Sequence, residues 1–230
     1  MAGVGAACEP PGMDLYEALY TTRAMRRVRP DPIPEDVQKR ILDAAIRAPS
    51  GGNSQAWRFM LVDDPGIKGQ LGPLYRECLA QLFETIYKPQ FDAAEAAPEK
   101  PESVEFQKMY RSASHLAEHF EGYPLLLISF VRFDPSGGSI FPAVWSAMLA
   151  ARAEGIGSAI TSVLMFRLEQ TLEILGVPRD QGWNFSSLVT MGYPTGRWGI
   201  APRQPVHSVA CRNGWNGELG FEIPEPLWSA

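Results

Sequence analysis

The stretch APSGGNSQAWRF, residues 48–59, is where two periodicities meet. Before it, Val37, Ile41, Leu42, Ala45 and Ile46 recur at helical spacing and predict a helix over 35–47. Pro49 stops that helix, because it restricts the residue before it and has no N–H to continue the ladder. Residues 50–54 then read as a loop of small residues, and 57–62 as a short apolar strand closed by Asp63, Asp64 and Pro65. Glycine lets a main chain approach a ligand closely, so Ser50, Gly51, Gly52 and Asn53 can offer N–H groups and short polar side chains to a flat molecule. Asn53 or Gln55 can reach a heterocycle edge; the same run also serves as a plain turn. It is neither GxGxxG nor a Walker loop.

Upstream, Asp14 reads as the N-cap of a first helix carrying Leu15, Ala18 and Leu19, expected to end near Arg27. Pro30, Pro32 and Pro34 then force an extended crossing. Across that helix end, TTRAMRRVRPDPIP (residues 21–34) sets Arg23, Arg26, Arg27 and Arg29 close together. Such a cluster either balances a helix C-terminus in solvent or grips a phosphate, since each guanidinium fork donates paired hydrogen bonds and stays charged.

Downstream, a helix over 67–87 turns Leu71, Leu74, Leu79, Leu82 and Phe83 inward, and residues 88–102 read as an exposed excursion, a lid. Another helix is expected over 106–120, then a strand over 125–131. Residues 140–154 form an apolar helix nearly free of charge until Arg152, buried on nearly every side in a core or a subunit interface. Gly155 and Gly157 end it within EGIGSAITS (154–162), whose small residues either cap and pack the helix or turn backbone amides toward a ring. An extended run over 158–164, a short helix over 168–175 and a last strand over 183–191 follow. From 195 onward the chain is rich in Gly, Pro and Trp without periodicity, and is expected to pack on another surface such as a second subunit.

Composition narrows the function. At 230 residues, 45% hydrophobic and 20% charged, one domain is expected. A net charge of -5 offers no basic field for nucleic acid or an anionic membrane. The longest apolar stretch, residues 123–131, is far short of the ~20 a membrane span needs. Residues 1–13 carry neither a basic n-region nor an apolar h-region and read as a flexible tail. The three cysteines have no metal-ligand spacing and read as reduced thiols of a cytoplasmic protein. His115, His119 and His207 read as packed or surface histidines, no metal site is expected, and no general-acid triad is evident.

Taken in order, the arginine cluster, PDPIP, APSGGNSQAWRF, the apolar helix closing on GIGSAITS, and GYPTGRWGIAPRQP (192–205) resemble the flavin-dependent nitroreductase family over residues 15–206. The resemblance implies an α+β nitroreductase-like fold: a central mixed, mostly antiparallel sheet flanked by helices, in an intertwined homodimer with flavin mononucleotide (FMN) at the interface. The FMN-binding domain would span 14–206, with 88–120 framing the substrate pocket and 207–230 packing on the partner. In that family an Arg-Arg-Ser-x-Arg motif holds the flavin phosphate. Thr22, Arg23, Ala24, Met25 and Arg26 stand there, so Arg23 and Arg26 match while Thr22 and Ala24 do not. The missing serine removes a hydroxyl contact of about 1 kcal/mol. Pro49, Ser50, Gly51 and Asn53 match the family's loop along the flavin, and Ile160, Thr161 and Ser162 fall on the run facing the N5 edge. Arg203, with Arg197 as substitute, matches the arginine that reaches the phosphate after the GYP turn.

The chemistry so implied is two-electron reduction of a flat acceptor, such as a nitroaromatic or quinone, with NADH or NADPH as donor and ping-pong kinetics. Arg26 would stabilise the reduced, anionic flavin. The family also contains deiodinases, oxidases of peptide heterocycles and enzymes that fragment flavin, so fold and cofactor leave the reaction open. A flavin dehydrogenase or oxidase, a non-enzymatic flavin-sequestering protein and a redox-silent structural dimer are the alternatives.

Overall fold

A computed structural model describes residues 12–228; residues 1–11, most of the expected N-terminal tail, lie outside the described residues. Helix α1 (Leu15–Thr21) starts where Asp14 accepts hydrogen bonds from the N–H groups of Tyr16 and Glu17. It ends at Thr21 instead of near Arg27. Thr22 turns extended, its hydroxyl donating back to the Ala18 carbonyl. The reason lies far away in sequence: Ala24 bridges Ser158 in parallel, Val28 bridges Pro194, and the Met25 N–H donates to the Ser158 carbonyl at 2.9 Å. Sheet-type pairing thus satisfies the backbone that a longer helix would have satisfied locally. The four arginines therefore sit on an extended strip along the sheet.

α2 (Glu35–Ala45) buries Val37, Ile41 and Ala45, and leads through the 48–56 loop into β1 (Trp57–Val62). α3 (Pro65–Thr85) follows, buried along Leu71, Leu74, Leu79 and Phe83 as its pattern predicts. The expected excursion at 88–102 is mostly helical: α4 (Lys88–Ala96) admits Pro89 in its first turn and anchors Phe91 edge-on against Phe106 and Tyr110 of α5 (Pro101–Glu118). β2 (Leu125–Val131) is buried throughout. α6 (Ile140–Ala153) buries one side, yet Phe141 and Trp145, one turn apart, are 44% and 39% exposed, so in a single chain it is not covered all round. β3 (Gly157–Thr161) ends before a 3-10 turn over Val163–Arg167, short of the extended run expected to 164. α7 (Leu168–Ile174) and β4 (Asn184–Gly192) complete the order.

The strands lie β1-β2-β4-β3, every pair antiparallel, and the mixed character reduces to the parallel Ala24–Ser158 bridge. Because strand side chains alternate faces, Leu126, Ile128 and Phe130 enter one core with α3, α5 and α7. Leu125, Leu127 and Val131 enter the other with α2 and α6. Beyond β4 the chain returns to α1, where Trp228 meets Tyr20 at 5.8 Å between ring centroids, and Trp198 stacks on the Arg152 guanidinium at 4.1 Å.

Candidate functional site

The candidate site lies at the open edge of the sheet. β3 is an edge strand, and the Ser158 carbonyl points outward to the Met25 N–H. Two residues on, Ile160 turns its own N–H and carbonyl to the same outer side, past the end of the bridging strip, and its side chain is 41% exposed. Gly157 makes the strip's approach close enough: a Cβ there would stand 2.8 Å from the Met25 Cβ and 3.3 Å from that of Pro194. Its partner across the ladder, Gly192, is equally tight against Val28.

Polar groups converge beside this edge. Arg26, half-buried, donates to the Ser112 hydroxyl of α5 at 3.2 Å, and its carbonyl accepts from the Tyr123 phenol. The Tyr75 hydroxyl of α3 reaches the Thr161 hydroxyl at 3.4 Å. Burial pushes the Tyr75 and Tyr123 phenols up, and the nearby Arg26 charge pulls both the other way. Both phenols are therefore neutral donors at neutral pH, beside one fixed cation. Ser112, Tyr75 and Tyr123 had no signal in the sequence. They stand on α5, on α3 and in the turn before residue 125, and only packing unites them.

Among the expected residues, Arg23 is exposed and donates to the Arg197 carbonyl at 2.8 Å, which joins the strip to the chain after the GYP turn. Arg203 is exposed and donates to its neighbour Pro202. It shares with Thr22 the lining of a cavity of about 610 Å³ between α1 and the returning tail. Thr22 itself is buried and spends its hydroxyl proton on α1. Met25 is buried; Ala24 is exposed and presents no hydroxyl. Ser162 is exposed at the strand's end, where Thr161 also accepts from the Val163 N–H.

The loop with Pro49, Ser50, Gly51 and Asn53 lies elsewhere. It is exposed at the start of β1, where the Gly51 N–H donates to the Ser139 hydroxyl at the head of α6 and the Ser50 hydroxyl accepts from the Gln55 N–H. Gly52, Asn53 and Gln55 take positive φ, 58°, 51° and 48°, a tight left-handed path that presents backbone groups to the exterior. Two strands separate β1 from β3, roughly 14 Å at ordinary strand spacing. One chain thus brings residues 22–26, 160–162 and Arg197 together, sets Arg203 in the cavity beside Thr22, and leaves the 49–53 loop apart. A second cavity of about 600 Å³ lies between α3, α4 and α5, lined by Phe83, Phe91 and Tyr110. It opens on the Tyr110–Ser114–Ala117 face of α5, away from the face that carries Ser112 to Arg26.

The residues present fit a flavin nucleotide: a backbone edge open at Ile160, a cation held beside it by Ser112, and exposed arginines on the adjoining strip. Known proteins resemble this chain in sequence and in fold. The 5,6-dimethylbenzimidazole synthase of Rhodobacter capsulatus is 31% identical over 194 residues, 78% of this chain and 83% of that protein. The NADH dehydrogenase of Thermus thermophilus is 30% identical over 210 residues, 86% of this chain and 96% of that one. The crystal structure of an oxidised iodotyrosine deiodinase bound to FMN and 3-iodo-L-tyrosine shares the fold, with a TM-score of 0.66 at 21% identity over 83% of this chain and 95% of that one. A sequence model of the nitroreductase family matches residues 19–193, and this chain belongs to that family.

Proposed function

We propose that the protein is an FMN-dependent oxidoreductase that takes two electrons from NADH or NADPH and passes them to a flat aromatic acceptor of the nitroaromatic or quinone type, as a homodimer in the cytoplasm. The observation that carries this reading is the division of the site. Arg23, Arg26, Ile160, Thr161 and Ser162 gather at one sheet edge, while Pro49, Ser50, Gly51 and Asn53 lie two strands away. A second chain brings a loop to that edge and covers the apolar groups a lone chain leaves out: Phe141, Trp145, Ile160 and Met165, each more than a third exposed. Among the described residues no helix is long and apolar enough to cross a membrane, and the exposed Cys211 thiol suits a reducing compartment.

FMN bound there would supply the hydride-accepting and hydride-donating chemistry. The chain's residues have the remaining tasks. Arg23 and Arg203 hold the phosphate, with Arg197 close to Arg23. Ile160 offers its backbone to the ring edge, and Arg26, fixed by Ser112, places positive charge where the reduced ring is anionic. Purified protein tests the reading directly. Yellow protein that releases FMN in acid and bleaches with NADH or NADPH under nitrogen is expected. Yellow protein that resists both donors would make it a flavin-sequestering protein, and colourless protein unable to take up FMN would make it a structural dimer.

A further inference from the structure

We propose that the last turn of α5 binds a divalent transition-metal ion through His115 and His119, with Glu118 as a third donor. His115 and His119 are four residues apart on one helix face, and their ring centroids stand 4.1 Å from each other. A ligand atom from each of His115, Glu118 and His119 lies within 4.8 Å of the other two. Tetrahedral ligands at zinc-nitrogen distances stand about 3.3 Å apart, so small side-chain rotations close the set on an ion. Solvent completes the coordination, since Glu118 and His119 are exposed and His115 is half-buried.

The His119 Nδ1 lies 2.9 Å from the His115 carbonyl, which can only accept, so Nδ1 carries the proton and Nε2 keeps the free lone pair. Orientation of a ligating imidazole by a backbone carbonyl is the usual support for a metal site. The charges nearby oppose one another: Arg27 repels a dication, whereas Glu118 and the carbonyl end of α5 attract it. Two imidazoles with one carboxylate select zinc, nickel or copper over calcium or magnesium. The site is separate from the flavin residues yet mechanically close to them, because Ser112, which holds Arg26, stands one turn earlier on the same face of α5.

The test uses the flavin-loaded protein, freed of metal with chelator, with Cys8 and Cys211 replaced by serine so that thiols cannot compete. Calorimetric titration with nickel or zinc is expected to give one ion per chain. His115→Gln and His119→Gln should each weaken binding more than about tenfold, and Glu118→Gln less. His207→Gln, which removes the chain's other histidine, should leave it unchanged. Copper loaded at the site should carry nitrogen hyperfine structure in its electron paramagnetic resonance spectrum. Absence of stoichiometric binding, or binding that survives loss of both His115 and His119, overturns the proposal.

Discussion

Replacing Gly157 by alanine tests the claim that close backbone approach positions the arginines proposed to hold FMN. The added Cβ would sit 2.8 Å from the Met25 Cβ, 3.3 Å from the Pro194 Cβ and 3.4 Å from the Gly192 carbonyl oxygen. The Met25 Cβ moves only with its backbone. Restoring an ordinary carbon contact requires the strip to retreat by about 1 Å. Such a shift stretches the 2.9 Å bond from the Met25 N–H to the Ser158 carbonyl beyond useful range. Overpacking costs roughly 1–3 kcal/mol and the hydrogen bond about 1 more, so Gly157→Ala should destabilise the protein by about 2–4 kcal/mol. Arg26 is the next residue, and its displacement should weaken FMN about tenfold, or about 1.4 kcal/mol. Gly155→Ala is the control: its φ is +73° but nothing lies within 4 Å of the new Cβ. It should lose roughly 1–2 kcal/mol from backbone strain alone and keep its flavin affinity. Urea unfolding and FMN titration of the apoprotein measure both quantities. If Gly157→Ala is within about 0.5 kcal/mol of the parent and binds FMN equally well, the strip does not depend on that glycine and the reasoning fails.

Arg23→Ala and Arg203→Ala should each lose about 1.5–3 kcal/mol of FMN binding, roughly ten- to a hundredfold, while riboflavin affinity barely changes; equal loss of both ligands would remove the phosphate role. Ser112→Ala releases Arg26 from its 3.2 Å contact and should weaken FMN and riboflavin alike while lowering the flavin's reduction potential, read by dye equilibration. Tyr123 makes stability fall at high pH: its proton affinity is raised above the ordinary value of 10.0 by burial, so the folded state keeps a proton that the unfolded chain gives up. The stability is fully present below pH 10 and lost as pH rises beyond it, and Tyr123→Phe should flatten that decline in urea midpoints; an unchanged slope would assign it to other groups. Truncation after Val206 removes the segment facing Leu19 and Tyr20 and should cause self-association or loss of flavin in sedimentation and absorbance measurements, whereas a yellow, monodisperse monomer would contradict this.

Elements with strong local periodicity were legible in residue order alone. The stripe on α2, the inward leucines of α3, the largely apolar run of β2 and the stop at Pro49 each depend on residues within a few turns of one another, so spacing was enough. The arginines at 23 and 26, the Pro-Ser-Gly loop and the Ile160–Ser162 run could be found as motifs because each is contiguous. Tertiary structure decided what no local pattern contains. α1 stops at Thr21 because Ser158, far along the chain, takes the Met25 N–H, and residues 88–96 become helical where Phe91 finds Phe106 and Tyr110. Ser112, Tyr75 and Tyr123 join Arg26 and Thr161 only because α3, α5 and the turn that leads into β2 pack beside the strip and the end of β3. The separation of the 49–53 loop from that edge follows from the strand order β1-β2-β4-β3. Hydrogen bonds and packing between distant segments outweigh local preference wherever the two disagree, because a buried backbone group left unpaired costs more than a residue's weak preference for one conformation over another.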